Sequence, residues 1–337
     1  MTKNTMTNIL ERKRFLFSLI TVFLFLLFIP NLVLFNPVAI HVLCMIFLYA
    51  FMAQSWNMIG GFTGQFSLGH VTFFAIGAYT SALLYVNYNI PTSISSLIGA
   101  LISCIVSIAV GLPFLRLRGH YFAIGTLTFT FATMQLFTSM TSITKGAQGV
   151  LIYPRQSNPL YLLFYDRTQY YYLIMPLTFA QLLLTVFLLR SKLGYSFLAT
   201  REDPDAAESL GINTAKTKII AFAISSIFMS IAGSIYANYV TYINPEIVFS
   251  MEFTVAIISI NMVGGLGSVW GPLIGSFILV PFSEVIRFTI GSKIIGIHMV
   301  IYGFVLILVT FYAKGGIFAT ILRALPKIHR EDFETKR

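Results

Sequence analysis

Apolar runs of membrane-spanning length recur from Phe15 almost to the C-terminus, separated by short loops. A helix needs about 20 apolar residues to cross the hydrocarbon core of a bilayer. Phe15–Phe35, Val38–Ile59, Phe66–Val86, Ser93–Leu115 and Tyr121–Ser142 are of that length, as are Tyr171–Leu189, Ile219–Val240, Pro272–Ile290 and Ile297–Tyr312. Phe253–Met262 is shorter and reads as a broken or re-entrant segment. The expectation is an all-α polytopic membrane protein of about ten helices. Only 10% of the residues are charged and 57% are hydrophobic. A soluble domain carries about 25% charged residues, so lipid is the solvent that fits.

Basic residues orient the bundle, because Lys and Arg collect in cytoplasmic loops. One side receives Lys3 and Arg12–Arg14, then Arg116 and Arg118, then the five in 190–218, then the run from Lys314 to Arg337. The other receives only Lys145, Arg155, Arg167 and Lys293, with Arg287 at its border. Both termini are therefore expected in the cytoplasm. The division is a tail over 1–14, a transmembrane domain over 15–315 with a cytoplasmic loop at 190–218, and a second tail over 316–337. The net charge of +10 does not indicate nucleic acid. The basic residues are spread over loops at the membrane surface, where they meet anionic lipid headgroups. Arg12–Arg14 and the run after them imitate a secretion signal, but about 20 apolar residues exceed its apolar region and no small-residue cleavage site follows. Cys44 and Cys104 fall within spans and lack metal-ligand spacing, so plain packing is expected of them.

Two glycine-rich stretches stand out. Gly60, Gly61 and Gly64 precede Gln65, Ser67, Gly69 and His70, and a second set runs from Gly264 through Gly265, Gly267 and Gly271 to Gly275. Their likeness suggests an internal repeat. Two halves of five helices would be inverted, yet both stretches fall on the cytoplasmic side, which inversion does not explain. Broken backbone in a membrane is tolerated where protein buries it or it lines a cavity. The first stretch is thus either tight helix packing or a wall of a solute path, with Gln65, Ser67 and His70 supplying polar groups. Gln135 and Asn261 are further polar residues at membrane depth, where such groups usually face the bundle interior. Glu284 and Arg287 sit three apart on one helix face, a spacing that suits a structural ion pair. Glu252 stands at the outer end of its segment, where it can sit in water.

The cytoplasmic loop contains a helix of its own. Asp203 suits an N-cap and Pro204 the first helical position. Asp205 and Glu208 lie where the helix dipole favours acids, and Gly211 is a natural stop. Two turns are too short to be stable alone in water. Ala206, Ala207 and Leu210 offer a small apolar face, for a partner protein or for the membrane surface.

These residues carry a resemblance. Arg201–Asn213 resembles the cytoplasmic coupling segment of ABC-importer permeases, with two alanines after an acid and a glycine a few residues on. Trp56–His70 is similar to the N-x-x-x-G-x-x-G-Q-x-S-L-G-H signature of the LivM/LivH permease family of branched-chain amino-acid importers. Leu115–Ala123 resembles the L-R-L-x-G-x-Y-F-A stretch of its LivM branch, and Val263–Pro272 the G-G-x-G-S-x-W-G-P turn. The likeness covers about residues 40–315. Two positions depart from the branch pattern: His120 stands where an acid is usual, and Lys145 beside a glycine of the outer loop.

The resemblance implies a multi-pass permease of the bacterial inner membrane, with no cofactor. Its implied partners are a paralogous permease as heterodimer, two cytoplasmic ATPases and an extracytoplasmic substrate-binding protein. Asp203, Asp205, Ala206, Ala207, Leu210 and Gly211 would couple to an ATPase. Gly60, Gly61, Gly64, Gln65, Ser67, His70, Gln135 and Asn261 would belong to the solute path or the central packing. Apolar amino acids are the expected solute class, with urea and short-chain amides carried by permeases of the same family. The chain lacks a phosphate-binding G-x-x-x-x-G-K-[ST] loop, an H-E-x-x-H and a G-x-S-x-G. ATP hydrolysis is therefore expected on other chains. A stand-alone secondary transporter is the competing class, and the coupling segment argues against it.

Overall fold

The computed structural model of the protein describes residues 36–115, 117, 119–153 and 159–289, with Leu26, Leu27, Pro30 and Gly303. The expected span Ile297–Tyr312, nearly all of Phe15–Phe35, and both tails lie outside the described residues. The helices used below are α1 (Pro37–Gly60), α2 (His70–Tyr88), α3 (Thr92–Phe114), α4 (His120–Ser139) and α5 (Arg167–Leu189). They continue with α6 (Lys192–Glu202), α7 (Pro204–Ser209), α8 (Thr214–Val240), α9 (Met251–Gly264) and α10 (Gly271–Thr289). Helices α1, α3, α5 and α8 are long and apolar enough to cross a membrane, as is the segment Pro245–Gly264 that contains α9. That last segment is broken: a single turn, Pro245–Val248, precedes α9, and Ser250 caps the new helix by accepting from the Glu252 N–H at 3.1 Å.

Two helices form the centre. Asn36 starts α1, its Oδ1 accepting from the N–H groups of Val38 and Ala39 at 3.1 and 3.3 Å, with Pro37 in the first helical position. From Cys44 onward α1 is buried on nearly every side, because α5, α8, α9 and α10 all pack on it. Helix α8 runs beside it and packs α2 and α3 on its other flank. The crossing of α2 and α8 depends on two glycines. A Cβ on Gly77 would run into the main-chain carbonyl of Ser230, and one on Gly233 into that of Phe74. Ser234 Oγ donates to the Gly77 carbonyl at 3.0 Å, across the same crossing. Small residues let membrane helices approach closely enough for such contacts.

Helix α3 is sorted as lipid requires. Leu97, Leu101 and Ile105 are 66%, 62% and 60% exposed, whereas Ser95, Gly99, Ser103 and Ser107 on the opposite face are buried. A water-soluble helix does the reverse. Ser226 of α8 meets this seam, its Oγ 2.9 Å from Ser107 Oγ.

At the end of the bundle where α1 begins lies the long α4–α5 connection, described over 140–153 and 159–166. It holds the strand β1 (Val150–Leu151), which pairs antiparallel with β2 (Tyr242–Ile243), Val150 opposite Ile243 and Leu151 opposite Tyr242. Helix α5 begins at Arg167 rather than Tyr171 and α8 at Thr214 rather than Ile219, and one further boundary differs for a local reason. Helix α2 starts at His70, four residues after Phe66, because Thr63–Gly69 is a turn rather than helix. Gly64 holds φ +72°, and the Gln65 N–H turns back to the Ile59 carbonyl at 3.0 Å.

Candidate functional site

The two glycine stretches lie side by side at the end of the bundle opposite the β1–β2 pair. One links α1 to α2 and the other links α9 to α10. Asn57, fully buried in the last turn of α1, ties them together. Its Oδ1 accepts from the Gly267 N–H at 3.0 Å and its Nδ2 donates to the Ser268 carbonyl at 2.8 Å. The backbones nearly touch: a Cβ on Gly61 would stand 2.7 Å from Gly267 N. Asn261 makes a matching tie from α9, with Nδ2 donating to the Ala53 and Ile257 carbonyls, each at 2.9 Å.

Ser67 and His70 lie inside the packing. Trp56 Nε1 donates to the Ser67 carbonyl at 2.7 Å, which folds the turn back on α1. His70 is 2% exposed. Its Nδ1 is hydrogen-bonded to Ser67 Oγ at 2.9 Å and its Nε2 to Ser225 Oγ at 2.6 Å. Ser225 Oγ in turn donates to the Ser55 carbonyl at 2.6 Å. This polar chain joins the turn, α8 and α1, with Phe73 and Phe222 edge-on against the imidazole. Gly60 and Gly61 are buried beside it, Gly64 is exposed and Gln65 half-buried. Gln135 stands apart from all of these, on the exposed face of α4 with Phe131 and Leu136.

The loop helix forms where its signals place it. Asp203 Oδ1 accepts from the N–H groups of Asp205 and Ala206 at 2.9 and 3.1 Å. Gly211, at φ +85°, ends α7, and the Ile212 N–H closes on the Ala207 carbonyl at 3.0 Å. Ala206, Ala207 and Leu210 differ in exposure. Leu210 is 82% exposed and Ala206 is exposed, while Ala207 is 3% exposed and packs into the chain. Leu210 is already past the last residue of α7, in the turn that ends the helix.

Arg201, at the end of α6, links this loop to the glycine turns. Its Cγ would lie 3.4 Å from a Cβ on Gly64, and its guanidinium occupies the space that a Cβ on Gly267 would need. Gly267 has φ +73°, so a side chain is disfavoured there twice over. Gln65, Leu115, Pro204, Glu208 and Lys218 border a cavity of about 530 Å³ between the first glycine turn and the loop. The assembly consists of a surface helix, an arginine, and two turns that carry four helices.

Sequence reasoning alone overlooked Asn57 and Arg201 as site residues. Asn57 lay inside the quoted signature, four residues before Gly61, which places it on the face of α1 below that glycine. Arg201 gave no such signal, since its partners are more than 60 residues away along the chain.

Residues 38–310 match a protein family described as "branched-chain amino acid transport system / permease component". Similar proteins include the high-affinity branched-chain amino acid transport system permease protein LivM of Escherichia coli K12, 31% identical over 280 residues, 77% of this chain and 65% of LivM. LivM of Salmonella typhimurium is 30% identical over 271 residues, 74% of this chain and 64% of that protein. The permease LivH of Salmonella typhimurium is 28% identical over 254 residues, 68% of this chain and 79% of LivH. The match spans just under two thirds of the length of the LivM proteins. No solved structure matches the chain.

Proposed function

Since the chain belongs to the branched-chain amino acid transport system permease family, we propose that it is a transmembrane subunit of an ABC importer for apolar, branched-chain amino acids. The observation that carries this reading is the family match over 38–310, which runs through both glycine turns and the loop helix. In this reading the chain supplies half of a solute path and a paralogous permease supplies the other half. A binding protein delivers leucine, isoleucine or valine from outside, and two ATPases dock on the cytoplasmic loop. The bundle is completed to ten spans with both termini in the cytoplasm, a topology that rests on the asymmetry of Lys and Arg.

Closure of the ATPases on ATP pushes on α7. The geometry gives that push a route: α7 is capped by Asp203 directly after α6, Arg201 of α6 lies against Gly64 and Gly267, and Asn57 binds the two turns together. A displacement of the loop is thereby applied to α1, α2, α9 and α10 at once, and the path between the two permeases changes the side it opens to. Radiolabelled leucine and urea uptake, compared with and without this chain, tests the reading. Loss of leucine uptake on deletion is expected. Loss of urea uptake with leucine uptake intact overturns the substrate class.

A further inference from the structure

At the end of the bundle opposite the glycine turns, α9 and α10, with Tyr49 of α1 and Gly303, border a cavity of about 430 Å³. Its chemistry is divided. Glu252, Glu284 and Arg287 line it at the start of α9 and the end of α10, and Val255, Ile260 and Leu279 line it further along the same two helices. The Glu284 carboxylate is 9% exposed, lying 3.8 Å from Arg287 Nη1 and 4.0 Å from His41 Nε2. His41 in turn is hydrogen-bonded through Nδ1 to Tyr239 OH at 2.6 Å and stacks on that ring. Side chains from three helices thus gather around one carboxylate, well beyond the simple i, i+3 pair that spacing suggests. Glu284 is buried, whereas the Arg287 side chain is 64% exposed and Glu252 is exposed, so both reach the open side of the cavity; ionisable groups in a membrane bundle are functional-site candidates by default.

We propose that this cavity binds a zwitterionic amino acid with an apolar side chain. The proposal rests on the importer reading above and places a solute site within it. The guanidinium has five donors in a fixed fork, enough to hold Glu284 and still take a ligand carboxylate. Glu252, exposed in the first turn of α9, accepts the ligand ammonium. Val255, Ile260 and Leu279 receive the side chain. Neither charged end alone satisfies the wall, and a neutral solute such as urea brings no charge to pair with either ion.

The test uses Ser283, which lines the cavity and is half-buried. Ser283→Cys in a Cys104→Ser background leaves buried Cys44 as the other thiol. Intact cells carrying this full-length chain are labelled with a membrane-impermeant maleimide, with leucine, leucinamide, isocaproate or urea present. Leucinamide lacks the carboxylate and isocaproate lacks the ammonium. Leucine is expected to protect the thiol at about tenfold lower concentration than either analogue, since each removes one charge-assisted contact. Urea is expected not to protect, and Arg287→Ala to abolish protection by leucine. Val255→Trp, which fills the apolar part and leaves the ions in place, is expected to do the same. Protection by isocaproate or urea equal to that by leucine overturns the site, as does the absence of protection by leucine. Leucine uptake in the same cells is scored separately. Uptake without protection removes the site and keeps the importer reading, and protection without uptake removes the importer reading and keeps the site.

Discussion

If the two glycine turns move as one body, the amide of Asn57 is the bond that makes them so, and replacing it should be costly in a graded way. Asn57→Ala deletes the acceptor of the Gly267 N–H and the donor to the Ser268 carbonyl. A net hydrogen bond contributes about 0.5–1.5 kcal/mol in water-soluble proteins and about 0.6 kcal/mol on average between membrane helices. An orphaned buried group costs about 1–3 kcal/mol. Gly267 and Ser268 are half-buried, so water recovers part of that loss. The expected destabilisation is about 1–3 kcal/mol for the alanine. Asn57→Asp keeps the acceptor but turns an oxygen toward the Ser268 carbonyl, and it places a charge in a fully buried position. It should therefore destabilise more than alanine, although it is nearly isosteric. Unfolding of the purified chain by SDS in bicelles, followed by tryptophan fluorescence, gives the order wild type, Ala, Asp. Trp56 and Trp270 flank the site and report on it. An aspartate variant as stable as wild type would refute the proposed role of the amide.

Three other outcomes follow from the geometry. Leu210→Arg should leave membrane insertion and stability unchanged while abolishing uptake, whereas Ala207→Arg should destabilise the loop itself because Ala207 is buried; full uptake by the Leu210 variant would exclude α7 as a docking element. Asp203→Ala removes two cap bonds and should cost about 0.5–2 kcal/mol locally, measured as faster tryptic cleavage within 190–218, and an unchanged cleavage rate would show that packing rather than the cap holds α7. Gly77→Leu forces α2 away from α8, at a cost no smaller than the roughly 1–3 kcal/mol of ordinary overpacking; a normal yield of folded protein by size-exclusion chromatography would contradict the crossing described.

The spans α1, α3, α5 and α8 were legible to within five residues, since about 20 apolar residues leave few alternatives. Apolarity alone could not separate a helix from a turn, which is why Phe66 was read as helical although the chain turns until Gly69. The small residues of α3 recur every three to four positions, a period that reveals its inward face, but a reading based on apolar length passes over it. Polar residues at membrane depth were expected to look inward. Asn261 does, while Gln135 sits on an exposed face of α4, because direction depends on how α4 sits against α2 and α3 and not on its own sequence. The tie from Asn57 joins residues 210 positions apart, and the cavity beside Glu284 needs His41 from a third helix. Such placements are properties of the packed bundle.

The α2–α8 crossing has an evolutionary consequence. At most packed interfaces a larger side chain on one side can be offset by a smaller one opposite, and homologous cores drift through such exchanges. Here the atoms that a new side chain would strike are the carbonyls of Ser230 and Phe74. No substitution makes a carbonyl smaller. Positions 77 and 233 should therefore not covary with their neighbours in relatives that keep this helix distance, and a relative with a side chain at either one must hold these two helices farther apart.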